Sequence, residues 1–161
     1  MKKRGLESKV LSAEELADRL PELRSKKKVV FTNGCFDLLH RGHVSYLEEA
    51  SERGDLLIVA LNSDPSVKRL KGESRPVHSL EDRLRVLAAL ESVDYVTWFE
   101  EDTPVSLLKK LKPDLLVKGG DYSSEEEVVG WEEVKKAGGE VAVLRLIPGR
   151  STTETLKKTT L

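Results

Sequence analysis

Val29-Val30-Phe31-Thr32-Asn33-Gly34-Cys35-Phe36-Asp37-Leu38-Leu39-His40-Arg41-Gly42-His43 is the stretch on which the reading of this chain turns. Lys26, Lys27 and Lys28 precede a β-branched and aromatic run, the pattern of a strand buried in a parallel sheet. The run stops at Asn33-Gly34, and an apolar helical period starts at Val44, Leu47 and Ala50. Between them stand His40 and His43, with Gly42 in between. Strand, small-residue turn and helix N-terminus together make an anion site, because the free amides and the positive end of the helix dipole face whatever binds there.

Phosphate is the occupant such a site favours, and the histidines narrow the chemistry. The loop lacks the G-x-G-x-x-G spacing of dinucleotide-binding turns and the G-x-x-x-x-G-K-[ST] of P-loops. Two imidazoles at a helix start suit negative charge that grows on a phosphorus centre and its leaving group. The stretch therefore reads as a site of phosphoryl or nucleotidyl transfer.

Composition bounds what surrounds it. A chain of 161 residues, 39% of them hydrophobic, is enough for one domain with its own core. A net charge of −1 lacks the basic footprint of a nucleic-acid partner. No apolar run reaches the roughly 18 residues of a membrane span and no signal peptide is visible, so the expectation is a cytoplasmic protein with no membrane partner. One cysteine excludes an internal disulfide, and three histidines with it offer no closed zinc set, so no protein-held metal is expected. Charged residues reach 34%, glutamine is absent and Asn33 and Asn62 are the only asparagines, a composition resembling heat-adapted proteins. Both asparagines follow predicted strands, which points to binding.

Outward from the central stretch, the chain alternates strand and helix. Ser12-Ala13-Glu14-Glu15 has the form of a capping box, followed by Leu16, Leu20 and Leu23 on one face of a helix that packs on the domain or on a partner subunit. After the first strand comes a helix over 42–53, stopped by Gly54 in a left-handed conformation, and a second strand over 55–61. A loop or short helix over 65–77 carries Lys68, Arg69, Lys71 and Arg75, close enough to the strand end to reach a phosphate. A helix from Ser79 buries Leu80, Leu84, Leu87 and Leu90 and leaves Arg83 and Arg85 at the surface. A third strand over 94–99, a helix capped by Thr103 with Pro104 at its first position, and a fourth strand over 114–117 follow. Lys118-Gly119-Gly120-Asp121-Tyr122 then forms a second glycine loop. An acidic helix over 124–137 ends at Gly138-Gly139, and a fifth strand over 140–146 leads to Gly149-Arg150-Ser151-Thr152-Thr153 and a last short helix. Five strands alternating with helices predict an α/β, Rossmann-like five-stranded parallel sheet with helices on both faces and its ligand beyond the strands' carboxyl ends.

Gly34-Cys35-Phe36-Asp37-Leu38-Leu39-His40-Arg41-Gly42-His43 resembles the signature of the cytidylyltransferase-like nucleotidyltransferases, which join an NTP to a phosphorylated small molecule and release pyrophosphate. The resemblance implies the strand order 3-2-1-4-5 and a division into an N-terminal helical extension, 1–27, and a nucleotidyltransferase domain, 28–161. Ser151-Thr152-Thr153 resembles the family's second signature, a hydroxyl cap for the β and γ phosphates, with Arg150 directly before it where many members carry an arginine several residues earlier. Val67-Lys68-Arg69-Leu70-Lys71-Gly72, Arg75-Pro76-Val77, Glu101-Asp102-Thr103-Pro104 and Val117-Lys118-Gly119-Gly120-Asp121-Tyr122 resemble, more narrowly, the adenylyltransferase domain of the bifunctional heptose kinase and heptose 1-phosphate adenylyltransferases.

The resemblance implies transfer of AMP from ATP to D-glycero-D-manno-heptose 1-phosphate, with Mg²⁺ carried on the ATP. A homodimer is one expected arrangement, and a chain of 161 residues departs from the fused form by leaving no room for the sugar kinase, so a separate kinase in the same pathway is expected. His40, His43 and Lys68 would be catalytic. Thr32, Asn33, Gly34, Cys35, Phe36, His40, Gly42, His43, Asn62, Gly119, Asp121, Ser151, Thr152 and Thr153 would hold the nucleotide, and Lys68, Lys71 and Lys118 the sugar phosphate. Two alternatives stand beside this reading: a cytidylyltransferase acting on glycerol 3-phosphate or a similar alcohol phosphate, and a nucleotide-sensing module without catalysis.

Overall fold

The computed structural model describes residues 5–149 and 151–159. Five parallel strands, β1 (Val29–Gly34), β2 (Leu56–Asn62), β3 (Tyr95–Phe99), β4 (Leu115–Gly119) and β5 (Glu140–Leu144), form one sheet in the order β3-β2-β1-β4-β5. Seven helices accompany them: α1 (Ala13–Leu23), α2 (Arg41–Ser51), α3 (Asp64–Lys71), α4 (Leu80–Ala88), α5 (Val105–Leu111), α6 (Trp131–Lys136) and α7 (Thr152–Thr159). The order is the one the family resemblance implies.

Alternation along each strand feeds two cores. Val29 and Phe31 of β1 and Leu56, Ile58 and Ala60 of β2 pack with Leu16 and Leu20 of α1, Leu107, Leu108 and Leu111 of α5 and Val134 of α6. Val30, Leu57, Val59 and Leu61 face the other way, onto Leu47 and Ala50 of α2 and Leu84, Leu87 and Ala88 of α4. Because successive side chains point to opposite faces, a strand buried on both sides must be apolar throughout, which is why β2 reads Leu-Leu-Ile-Val-Ala-Leu without a polar break. Each large apolar side chain so buried contributes about 1.5–3 kcal/mol.

The predicted capping box of α1 is present: Glu15 N–H donates to Ser12 Oγ at 3.2 Å and Ser12 N–H to Glu15 Oε2 at 2.8 Å. The described part of the N-terminal segment is anchored to the sheet. Leu11 N–H donates to the Val96 carbonyl, and Lys9 Nζ donates to the carbonyls of Leu90 and Val93.

Four local expectations change. Gly54 is not left-handed; α2 ends at Ser51 with Glu52 as its cap. Glycine is needed there for closeness, since a Cβ would stand 2.5 Å from Val30 Cγ2 and 2.8 Å from the Lys28 carbonyl. Pro104, not Thr103, occupies the cap of α5. The acidic helix over 124–137 is broken: a 3-10 turn at Glu125–Glu127 gives way at Gly130, φ 96°, to the short α6. Arg83 is not at the surface but 2% exposed, whereas Arg85 is exposed as expected.

β1 pairs with β2 along its whole length, but with β4 only through Val30↔Leu115 and Phe31↔Leu116. Beyond Phe31 side chains connect the two strands: Lys118 Nζ donates to the Asn33 carbonyl at 3.0 Å and Tyr46 Oη to the Val117 carbonyl at 3.1 Å. This parting lies where the winding of the sheet reverses, the place at which such sheets bind ligands.

Candidate active site

A cleft of about 350 Å³ opens there, lined by Asn33, Gly34, Cys35, Phe36, Asp37, His40, Gly42, His43, Tyr46, Lys71, Arg75, Lys118, Gly119, Leu146, Ile147, Ser151, Thr152 and Thr153. Segments far apart in sequence meet in it: the end of β1 and the turn after it, the end of α3 and the loop beyond, the end of β4 and the approach to α7.

The two histidines cap α2 reciprocally. Gly42 N–H donates to His40 Nδ1 at 3.1 Å, and His40 N–H donates to His43 Nδ1 at 3.3 Å. Their rings stack with centroids 3.9 Å apart. A ring nitrogen that accepts carries no proton, so these bonds assign each ring's proton to Nε2. Burial, with a smaller contribution from His40, lowers His43 to about 4. His43 therefore lines the cleft at neutral pH as an uncharged donor through Nε2, held by its own helix cap.

The turn that carries them is gripped from behind. Asp37, 4% exposed, accepts from Arg75 Nε at 2.6 Å, from Val77 N–H at 2.9 Å and from His78 N–H at 3.0 Å. Burial works to raise its pKa, but the amides of His78 and Val77 and the Arg75 guanidinium outweigh it and hold the carboxyl below its usual range. Phe36 is left-handed at φ 45°, and its ring folds over Gly34, where a Cβ would stand 3.0 Å from Phe36 Cε2. Behind both, Arg83 donates to the carbonyls of Cys35 (2.7 Å), Asn62 (2.9 Å) and His78 (3.1 Å) and to Asp64 Oδ1 (2.7 Å). Cys35 is no thiolate, since burial pushes its pKa up.

Positive charge gathers in the cleft, whose lining includes Lys71, Arg75 and Lys118. Lys118 donates to the carbonyl and Oδ1 of Asn33 at 3.0 and 3.4 Å, and among the described residues no carboxylate lies within ion-pair distance of it. Burial lowers its pKa, the signature of a cation that has given up water without gaining a countercharge.

The opposite wall is the approach to α7. Thr152 Oγ1 donates to the Leu38 carbonyl at 3.3 Å, tying this wall to the histidine turn, and Ser151 Oγ accepts from Glu154 N–H at 3.1 Å. Arg150 lies outside the described residues. Leu146 and Ile147, 53% and 37% exposed, add an apolar surface. Leu146 rests on Gly119, where a Cβ would stand 2.5 Å from Leu146 Cδ2.

Four expected site residues are placed elsewhere. Thr32 is fully buried beneath the floor, its hydroxyl 2.7 Å from Tyr46 Oη. Asn62 is 4% exposed and donates from Nδ2 to Ser66 Oγ at 3.0 Å, fixing the start of α3. Lys68 and Asp121 are exposed and outside the cleft lining. The basic run thus divides: Lys71 and Arg75 reach the cleft, while Arg69 turns to Asp102 (2.7 Å) and the Glu100 carbonyl (2.6 Å). Asp37, Tyr46, Leu146 and Ile147 carry no expected role in the sequence, and Arg83 is expected there at the surface. One signal was there to be read: Arg83 lies three residues after Leu80 and four before Leu87, inside the apolar stripe of α4.

Comparison with known proteins agrees with this geometry. The cytidylyltransferase-like family pattern matches residues 31–158. The chain is 56% identical over 149 residues to the bifunctional protein HldE of Hahella chejuensis and 59% identical over 150 residues to that of Salmonella arizonae, covering 92% of this chain and 31% of each relative. It thus spans about a third of the length of these relatives. Among solved structures, the lipopolysaccharide core biosynthesis protein from Thermoplasma volcanium is similar at 30% identity and a TM-score of 0.62, over 75% of this chain and 97% of that one. Pantoate-beta-alanine ligase from Francisella tularensis, crystallised in complex with beta-gamma ATP and beta-alanine, shares the fold at a TM-score of 0.59 and 16% identity, over 89% of this chain and 68% of that one. With the histidine turn, the late hydroxyl segment and the strand order joined in one cleft, and the family pattern running through them, the chain belongs to the cytidylyltransferase-like family.

Proposed function

We propose that this chain is an adenylyltransferase that joins ATP to D-glycero-D-manno-heptose 1-phosphate, giving ADP-heptose and pyrophosphate. The observation that carries the reading is the meeting of His40 and His43 with Ser151, Thr152 and Thr153 in one cleft of nucleotide-binding size, with Lys71, Arg75 and Lys118 in its lining. Two anionic reactants need such cations to approach each other. The sugar acceptor is supported by the high identity to the HldE proteins and by the structural neighbour named for lipopolysaccharide core biosynthesis.

In the reaction a phosphate oxygen of the sugar attacks the α-phosphorus of ATP in line. The new P–O bond forms as the bond to the bridging oxygen of the β-phosphate breaks, and that oxygen leaves with pyrophosphate. The attacking oxygen is already an anion, so no general base is required. His43 Nε2–H donates to the charge developing at the α-phosphoryl group, and as an uncharged donor it keeps its proton while doing so. Lys118, Lys71 and Arg75 neutralise the phosphates of the two reactants. Hydroxyls and amides of residues 151–153 receive the departing pyrophosphate. Mg²⁺ enters with ATP as part of the substrate, since the ion keeps several of its waters and needs few protein ligands when it rides on phosphates. Among the described residues, no helix is long and apolar enough to cross a membrane.

The test incubates the protein with Mg²⁺, ATP or CTP, and α- or β-heptose 1-phosphate or glycerol 3-phosphate, reading products by mass spectrometry. ADP-heptose formed with one anomer, with no CDP-glycerol, is the expected result. CDP-glycerol as the main product, or binding of ATP without turnover of any sugar phosphate, contradicts the reading.

A further inference from the structure

We propose that Arg83 is a positioning residue that aims the Phe36 backbone amide at the phosphates of the bound nucleotide. The inference rests on the adenylyl-transfer reading above and adds to it a residue outside the cleft.

Arg83 is 2% exposed and is not among the residues that line the cleft. Its charge is already met by Asp64 at 2.7 Å, so it acts through what it holds. Its shortest bond to the central turn is to the Cys35 carbonyl, at 2.7 Å. In a trans peptide the carbonyl and the following N–H point in opposite directions. A Cys35 oxygen drawn down to Arg83 therefore turns the Phe36 N–H to the other side, where Cys35 and Phe36 line the cleft. That N–H donates to no described residue. Keeping it so directed requires φ 45° at Phe36, a conformation that bulky residues rarely adopt. The same guanidinium fixes the carbonyls of Asn62 and His78, and the His78 amide in turn holds Asp37, so the residues on both sides of Phe36 are anchored to one buried group. An outward-pointing amide between two anchored neighbours, beside the neutral His43, is a fixed dipole for an anion that costs no rearrangement when charge moves.

The chain has three phenylalanines, Phe31, Phe36 and Phe99, so protein labelled with ¹⁵N-phenylalanine gives three backbone amide signals. Titration with Mg-ATP, without acceptor, is expected to move the Phe36 signal downfield and leave Phe31 and Phe99, both inside strands, in place. Arg83→Lys keeps the charge but lacks the fork that spans two carbonyls. In it ATP still binds, the Phe36 signal no longer moves, and kcat falls by about 10²-fold, the order lost with one transition-state donor, while KM for ATP changes much less. Should Arg83→Lys fail to fold in a thermal melt, Asp64→Ala releases one guanidinium nitrogen with Arg83 in place, and a reduced Phe36 shift is expected there. A Phe36 signal that stays put in ATP-saturated wild type, or moves equally in wild type and variant, overturns the proposal. Calorimetry on the same samples separates the two failures. ATP binding with an unmoved Phe36 removes this inference alone, whereas no ATP binding removes the adenylyl-transfer reading and this inference with it.

Discussion

The two walls of the cleft are built in opposite ways. Residues 34–43 are locked from behind: Asp37 accepts from three donors, Arg83 holds the Cys35 carbonyl, and the two histidines cap α2 through each other. Residues 146–153 keep Leu146 and Ile147 half exposed and, among the described residues, meet the first wall through one hydrogen bond, Thr152 to Leu38. A wall anchored from behind by buried groups presents donors at fixed positions, which stabilisation of developing charge requires. A wall with few buried contacts opens at small cost, which entry of a nucleotide and exit of pyrophosphate require.

The contrast predicts where substitutions act. Asp37→Ala leaves Arg75 unpaired in a site where its side chain is 12% exposed, and the expected loss is about 3–5 kcal/mol of folding stability, read from denaturant unfolding. A loss below about 1 kcal/mol, the level of an exposed ion pair, would show that the first wall is not locked as described. His43→Ala should lower kcat by about 10²–10³, with a smaller cost to stability of about 1 kcal/mol from the lost cap. Normal turnover in that variant refutes its assignment as a donor.

Acid should loosen the same wall. His43 titrates at about 4 in the fold against roughly 6.5 unfolded, so between those values the unfolded chain binds more protons and stability falls as pH falls. Asp37, depressed in the fold, contributes stability above its unfolded value of about 3.9 that is lost below it. Melting temperature is expected to decline in two steps on acidification, and His43→Asn to remove the first. The smallest effect belongs to the second wall: Thr152→Val should cost about 0.5–1.5 kcal/mol of stability at most, while raising KM for ATP more than it lowers kcat. An effect on folding as large as that of Asp37→Ala would mean that the two walls are alike.

The same division explains what was legible in the sequence. Strands β1 and β2, buried on both faces, announce themselves by unbroken apolar runs, and α1 by its capping box. The histidine turn was readable because helix start, glycine and imidazoles occur within one short stretch. Its support was not, because Arg83 is a charge in an apolar stripe, three of whose four partners are backbone carbonyls, and carbonyls leave no mark on a sequence. Asn62 looked like a ligand residue for the right reason, its place after a strand, yet its amide is spent on Ser66. Gly54 was misread because glycine answers two needs, positive φ and close approach, and here it serves the second. The acidic helix breaks at Gly130, which takes φ 96° and lies so close to Leu108 that a Cβ would stand 2.2 Å from its Cδ1, a tertiary contact that local pattern does not encode.

The central claim is that both walls hold one triphosphate. A crystal structure with Mg²⁺ and α,β-methylene ATP, which cannot transfer its adenylyl group, tests it directly. The account predicts the α-phosphate within hydrogen-bond distance of His43 Nε2 and the β and γ phosphates on residues 151–153. A triphosphate lying against one wall only, with the other left to solvent, would contradict it.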